Sequence, residues 1–327
     1  MTAPAPAPTP TAVEPLDSDL PLGRVLRPGQ RCRVWTSDLA GRLILVHESD
    51  EILLEAPNWT PDGRLVLNGD GRLWTLPAEP SVGSTPTRPE LIRTELLPAV
   101  NNDHALSPDG LTVYASADDG HVHAVPLAGG AARRVTADDG RLHFLHGVSP
   151  DGRTLAYVAL ETGAGGGWAD WAPTAHVRLI GVRGEDDRRL TTRPGPDDGA
   201  EYSPDGAWVL YNTEAFTAEP GHAQIARIPA AGGEPERLSH GPSVDWFPHV
   251  APDGRHATYL AYPPGTTGHP EDLDVEVRVV ALTGPDGVGA WDEPVAVIPL
   301  HGGQGTINVG SWSPDGTRFA LVDYPLG

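Results

Sequence analysis

Three histidines each lie two or three residues before a short turn motif that recurs along the chain: His104, His146 and His249. Neutral imidazole rings supplied by separate segments are suitable ligands for Mn, Zn or Fe, and they leave a coordination position open for substrate or water. We expect these rings, with Gln304 or Glu201, to converge on a divalent metal if the fold brings their segments together. The alternative is that they face water and bind no metal, because imidazoles are equally common water partners.

Carboxylates occur in the same segments as the histidines. Glu55, Asp103, Glu201 and Asp245 could act as general acid or base in such a site. The imidazole of His143 could also transfer a proton. The candidate catalytic residues are therefore His143, Glu201 and Asp245. The alternative is that individual carboxylates are solvated or cap local turns, as expected on a very acidic chain.

Further polar and aromatic residues are candidates for binding a substrate. Trp168 and Trp171 lie in a Gly-rich insert, where they could form a mobile aromatic flap or be disordered. Trp246 could stack on a sugar ring, and His269 lies in a loop expected at the same rim, where a solvated histidine is the alternative. The candidate substrate-binding set is Glu55, Asn58, Asn102, Asp103, Trp168, Trp171, Trp246, His269 and Asn308.

The turn motif that follows these segments is Ser-Pro-Asp-Gly or a near copy of it. Its six copies begin 42 to 62 residues apart, at positions 60, 107, 149, 203, 251 and 313. Proline presets φ for a tight turn, aspartate bonds locally and glycine accepts a positive φ, so each copy predicts a hairpin. A period in the forties with β-rich units is typical of a propeller blade.

Two strand-like segments, 31–38 and 42–48, precede the first complete unit, whereas the last unit stops after two strands. The N-terminal pair would complete the last blade and remove the open edge. The sequence therefore predicts an all-β, six-bladed β-propeller of four-stranded blades, forming one domain over residues 21–327. A disordered Pro/Ala-rich tail is expected over residues 1–20.

The segments upstream of the turns are expected to run along the central channel. Blades three, four and five carry long inserts between their second and third strands, over residues 161–174, 213–222 and 262–272. Inserts of this length in a compact domain are usually functional or disordered. Three of them on consecutive blades would form a wall along one side of the channel mouth.

Charge and composition exclude several classes of function. The chain has 44 acidic residues against 23 basic ones, a formal charge of −21, so nucleic acid and anionic membranes are not expected partners. All the basic residues are arginine, which excludes chemistry that needs lysine. With no apolar span and no signal peptide pattern, we expect a cytoplasmic monomer that binds a small, possibly sugar-like molecule in its channel, a protein partner remaining the alternative.

The six turns resemble the repeats of the TolB-like propeller family, over nearly all of the chain from about Arg24 onward. The channel segments are also similar in style to those of oligogalacturonate lyases, whose propellers hold manganese through histidines and a glutamine; the segments are residues 101–104, 145–147, 197–201, 246–249 and 303–308.

The second resemblance implies His104, His146, His249 and Gln304 as the metal ligands. It also implies a metal-dependent enzyme that eliminates or hydrolyses a small carbohydrate or uronate-like compound. The alternative is a non-catalytic propeller that binds a ligand or a protein across the same mouth.

Overall fold

A computed structural model describes residues 23–80, 87–161 and 174–327. These ranges form an all-β propeller of six blades, with no α-helix among them. In the part of the chain described, there is accordingly no helix long and apolar enough to cross a membrane. The candidate residues Trp168 and Trp171 lie outside the described residues.

Five blades are four-stranded antiparallel sheets that follow one another along the chain. Blade 1 contains β3 (Glu55–Trp59), β4 (Arg64–Gly69), β5 (Arg72–Pro77) and β6 (Glu90–Leu91). Blade 2 contains β8 (Val100–Leu106), β9 (Thr112–Ala117), β10 (Val122–Pro126) and β12 (Arg133–Arg134). The short parallel pair β7 (Thr94–Glu95) and β11 (Gly130–Ala131) lies beside it.

The next three blades have the same order from the innermost strand outward. Blade 3 contains β13 (Arg141–Val148), β14 (Thr154–Glu161), β15 (His176–Gly181) and β16 (Arg188–Arg189). Blade 4 contains β17 (Asp197–Tyr202), β18 (Trp208–Thr213), β19 (Gln224–Pro229) and β20 (Glu236–Arg237). Blade 5 contains β21 (Val244–Val250), β22 (His256–Tyr262), β23 (Glu271–Ala281) and β24 (Ala296–Gly303).

Blade 6 joins the two ends of the chain. Its sheet has the order β2 (Leu43–Ser49), β1 (Cys32–Asp38), β25 (Arg318–Asp323), so the predicted closure by N-terminal strands is confirmed. The expected innermost fourth strand is irregular. It is held to β25 by a bridge between Trp312 and Phe319 and by scattered bonds such as Ala320 N to Ser311 O at 3.0 Å.

Each Ser-Pro-Asp-Gly turn connects the innermost strand of a blade to the second strand. In blade 4, the Gly206 amide donates to Ser203 O at 2.8 Å, and the Ser203 hydroxyl donates to Asp205 at 2.6 Å. The glycine has a φ of +70°, which a residue with a side chain adopts only at a cost. The predicted hairpins are confirmed, and they leave the upstream residues of each innermost strand at the channel.

A β-bulge interrupts the innermost strand of all five regular blades, upstream of the turn. In β13 the extra residue is His146 itself, between Leu145 and Gly147. In β17 and β21 the irregular stretch contains Gly199 and Phe247, both at positive φ. A bulge changes which face of the sheet the following side chains point to. Histidines two and three residues before their turns can therefore point to the same face.

Candidate functional site

Two adjoining cavities form a cleft at the mouth of the channel, called the mouth cleft below. One has a volume of about 370 Å³ and is lined from blades 2 to 5; the other has about 460 Å³ and is lined mainly from blades 1 to 3. They share Asn101, Phe144 and Gln304 in their linings. The inserts expected to form a wall contribute through the loop before β23, which supplies residues 267–270 to the smaller cavity.

A chain of alternating carboxylates and imidazoles lies along the smaller cavity. His146 is central: its Nε2 is 2.8 Å from Asp198 Oδ1, and its Nδ1 is 4.0 Å from Asp103 Oδ1. His269 Nε2 then lies 3.6 Å from the other oxygen of Asp198. Four different segments supply these groups, and the bulges in β8, β13 and β17 place three of them.

The protonation states of these carboxylates and imidazoles follow from burial and charge together. Burial lowers the pKa of His146, but the Asp198 and Asp103 carboxylates outweigh burial and raise that pKa to about 9. Burial acts on Asp198 in the opposite sense, yet the His146 imidazolium holds the pKa of that carboxyl well below its usual range. For Asp103, burial dominates and raises the pKa. At neutral pH the cavity therefore contains an imidazolium, a carboxylate and a more basic second carboxyl.

Aromatic rings form the opposite side of the same cavity. The Trp246 ring centroid is 4.4 Å from that of His269, and Phe247 is 5.2 Å from the same imidazole. Trp246 is only 2% exposed, and its indole Nε1 has no hydrogen-bond partner within the described ranges. A buried donor without a partner is costly, so this N–H lacks the acceptor that such a group normally has.

The larger cavity is lined by a half-buried arginine that the sequence did not single out. Arg24 Nη1 donates to Gln304 O at 2.7 Å and lies 3.3 Å from Glu55, while Nη2 donates to Asp272 at 2.9 Å. Burial raises the pKa of Glu55, and Arg24 opposes that rise. Asn102 also donates to Glu55, at 3.4 Å. This arginine precedes the first strand, so no strand or turn pattern marked it.

Two other polar pairs line neither cavity and join neighbouring blades. His249 Nδ1 is bonded to Glu201, and its Nε2 donates to Ile307 O at 2.6 Å. His104 Nδ1 donates to Asn58 Oδ1 at 2.8 Å, and burial lowers the pKa of His104 to about 3. Both imidazoles are fully buried and serve as contacts between innermost strands.

The implied metal ligands do not fit a common ion in this structure. His249 has both ring nitrogens bonded, His104 has its Nδ1 bonded, and both ring nitrogens of His146 face carboxylates. Gln304 lines the mouth cleft between its two cavities. Across the described residues, no group of three or more His, Cys, Asp or Glu side chains is arranged to hold a metal ion.

Some of the remaining predicted residues line the mouth cleft, and others do not. His143 lines the larger cavity and donates from Nδ1 to Gly120 O at 2.8 Å. Asp245 lines neither cavity; it accepts a bond from Ser243 at 2.7 Å, and burial raises its pKa to about 6. The Asn308 side chain accepts a bond from the Gly305 amide. Of the three candidate catalytic residues, the structure brings only His143 to the mouth cleft.

The fold and cleft define a six-bladed propeller with a polar cleft at its channel mouth. No family model matches the chain. It is 34% identical over 278 residues to the uncharacterized protein Atu1656 of Agrobacterium fabrum, covering 83% of this chain and 85% of that protein. A TolB candidate from Agrobacterium tumefaciens has a TM-score of 0.77 and 32% identity, over 90% of this chain and 99% of its own. The chain belongs to the TolB-like β-propeller family.

A more distant likeness concerns the lyases. An oligogalacturonate lyase solved in complex with manganese has a TM-score of 0.54 and 14% identity, over 88% of this chain and 77% of its own. At this identity the likeness is one of fold alone. The TolB-like resemblance expected from the turn repeats is therefore confirmed, and the likeness to the lyase is in the propeller fold.

Proposed function

We propose that the mouth cleft binds a small polyhydroxylated molecule of the carbohydrate class and acts on it by proton transfer. The observation that carries this proposal is the row Asp103, His146, Asp198 along a cavity of about 370 Å³. Trp246 lines the same cavity, and its indole N–H has no partner in the described residues. Carboxylates accept from hydroxyl groups, and the indole donates to a hydroxyl or ring oxygen. A polyol supplies both kinds of partner.

A contribution to stability does not by itself explain a buried row of charged side chains. Burying each charge has a desolvation penalty of several kcal/mol, and apolar residues of similar size often replace buried ion pairs without loss. Groups with strongly perturbed pKa values beside a cavity are typical of catalytic sites. This supports a chemical role for Asp103 and His146.

The proposed roles follow from the charges. Asp103, whose pKa is raised by burial, takes a proton from the ligand, and the His146 imidazolium donates one to the departing oxygen. Asp198 keeps that imidazole protonated and oriented. Elimination and hydrolysis both need such an acid and base pair.

A metal-dependent lyase or hydrolase acting on a uronate-like compound is a narrower form of this proposal. Its support is the distant likeness to the manganese-bound lyase. Because the described ligands do not fit a common ion, we assign no step to a metal.

Trp246→Phe tests the binding role. The substitution keeps the ring and removes an N–H that has no partner in the described residues, so stability should stay the same or rise. Affinity for sugars detected by saturation-transfer NMR should fall by about five- to tenfold, the loss of one hydrogen bond.

Trp291→Phe is the matched control. Trp291 is equally buried, but its Nε1 donates to Gly287 O at 2.9 Å, away from the mouth cleft. It should lose stability and keep sugar binding. The opposite pattern, or no binding by any member of a panel of mono- and disaccharides, would overturn the proposal.

A further inference from the structure

The mouth cleft has a strong excess of acidic side chains. One arginine and no lysine contribute to it, since the chain contains no lysine. The histidines in the lining are His143, His146 and His269. The seven lining carboxylates are Glu55, Asp70, Asp103, Asp118, Asp197, Asp198 and Glu271.

The cationic groups of the cleft are already engaged by the protein. Arg24 donates to Asp272 and to a backbone carbonyl and lies beside Glu55. His146 lies between two carboxylates. An anionic ligand would therefore have to compete with internal carboxylates for every one of these cations.

Three of the carboxylates, by contrast, are open to solvent at the rim: Asp70, Asp118 and Glu271 are exposed and form no ion pair with any residue of the described ranges. Their field adds to that of a molecule whose formal charge is −21. Clefts lined by one sign of charge concentrate ligands of the opposite sign.

Two further features point to the kind of ligand. Phe144 is half-buried on the boundary between the two cavities, where its ring can lie against a cation. Trp246 lines the smaller cavity, and its buried Nε1 lacks a hydrogen-bond acceptor within the described residues. The ligand thus needs a positive charge and an oxygen acceptor in one small molecule.

We infer that the mouth cleft selects an amino sugar, a carbohydrate bearing a protonated amine, over neutral and uronate sugars. The inference rests on the proposed carbohydrate-binding function and adds the charge of the ligand. The acidic rim attracts the amine, Phe144 and the neighbouring carboxylates hold it, and the indole of Trp246 binds a ring or hydroxyl oxygen. The same field repels a carboxylate on the sugar.

Three ring-matched probes test this: glucosamine, glucose and glucuronate, each titrated by ligand-observed NMR at low and high salt. Glucosamine should bind about tenfold more tightly than glucose, with glucuronate the weakest, because a cation gains from both carboxylates and aromatic rings. The advantage should shrink at about 0.5 M salt, where exposed charges are screened.

A double variant, Asp118→Asn with Glu271→Gln, removes two rim charges while keeping side-chain size. The ratio of glucosamine to glucose affinity should fall about threefold or more. Asp274→Asn with Glu234→Gln is the charge-matched control, because these side chains are 94% and 89% exposed and line neither cavity. That control should keep the ratio of the natural protein.

The outcomes separate the two proposals. If glucose or glucuronate binds as tightly as glucosamine, the amino-sugar inference is overturned and carbohydrate binding stands. If the rim variant and its control behave alike, the charge argument is overturned. If none of the three probes binds at tens of millimolar, the proposed carbohydrate function itself fails, and the inference fails with it.

Discussion

Asp198 and Asp245 show how the same residue type acquires opposite properties on two neighbouring innermost strands. Both are carboxylates taken out of water. Asp198 lies 2.8 Å from an imidazolium, which holds its pKa well below the usual range. Asp245 has hydroxyl partners such as Ser243 and only a weaker influence from Arg278, so burial prevails and its pKa rises to about 6. Asp198 lines the mouth cleft, whereas Asp245 lies outside it and its charged form is destabilised by burial.

Asp245→Asn should make stability less dependent on pH. The pKa of Asp245 is raised from 3.8 to about 6 on folding, so its contribution is fully present below pH 3.8 and is lost as pH rises through 6. The amide has no such loss. Between about pH 4 and pH 8, urea unfolding should show the variant gaining about 2 to 3 kcal/mol relative to the natural protein. Parallel stability profiles for the two proteins would contradict this.

At the scale of residues, the sequence pointed to several polar side chains that line the mouth cleft but not to their partners. Asp103, His146, Trp246 and His269 were expected at the channel mouth and line its cavity. Glu201 was expected among the catalytic groups but is bonded to a buried imidazole between blades. Which carboxylate meets which imidazole depends on contacts between strands about fifty residues apart, and no local pattern reports them.

The bulges of the innermost strands are the elements that place the site. Gly199 lies in the bulge of β17, one residue after Asp198, at a φ of +64°. A Cβ there would lie 2.7 Å from Asn212 Oδ1 and 3.2 Å from a ring carbon of Phe247, which lines the smaller cavity. The bulge thus couples backbone geometry to the wall of the mouth cleft.

Gly199→Ala should lower the free energy of unfolding by about 2 to 3 kcal/mol, the sum of left-handed strain and a steric clash. Gly206→Ala is the control: its φ is +70°, but the nearest atom to a new Cβ is 3.5 Å away, so about 1 kcal/mol is expected. Only Gly199→Ala should also alter the NMR signals of Phe247. Equal losses in urea unfolding would show that the contacts of the bulge are unimportant.

The segment before β1 is the second element that shapes the cleft. Arg24 and Arg27 both contact Asp272 at 2.9 Å, but their side chains are 15% and 61% exposed. Arg24→Ala leaves the buried Glu55 without its cationic partner and should lower stability by about 3 kcal/mol, whereas Arg27→Ala should change it by less than about 0.5 kcal/mol. Chemical denaturation of both variants decides this, and similar losses would mean that burial of Arg24 is not what matters.

At the scale of elements, the repeated turns correctly predict five regular blades. The innermost strand of blade 6 departs from that prediction. That segment follows the same polar pattern as the others, yet it bends at Gly305, whose φ is +88° and whose amide donates to the Asn308 side chain. That local bond competes with strand pairing. The bulges were largely hidden, since only Pro57, Gly199 and Pro248 among their unpaired residues mark them by residue type.

The ring as a whole depends on one sheet made from both ends of the chain. Asp323 on β25 accepts two bonds from Arg33, at 3.0 and 2.7 Å, and one from Trp35 Nε1 at 2.9 Å, all from β1. These contacts join residues about 290 positions apart, so they form only when the ring closes. Closure removes the open edges that an unclosed arc of blades would expose.

Asp323→Ala should weaken this closure more than the rest of the ring. Removing one carboxylate leaves Arg33 and Trp35 without their shared acceptor, so a loss of about 2 to 4 kcal/mol is expected in urea unfolding. Hydrogen exchange should accelerate first in β1 and β2, because blade 6 can open while blades 2 to 4 remain packed. Arg42→Ala, at a side chain 83% exposed in the same hairpin, should change neither quantity. Uniform acceleration across all blades would instead mean that the ring opens only by global unfolding.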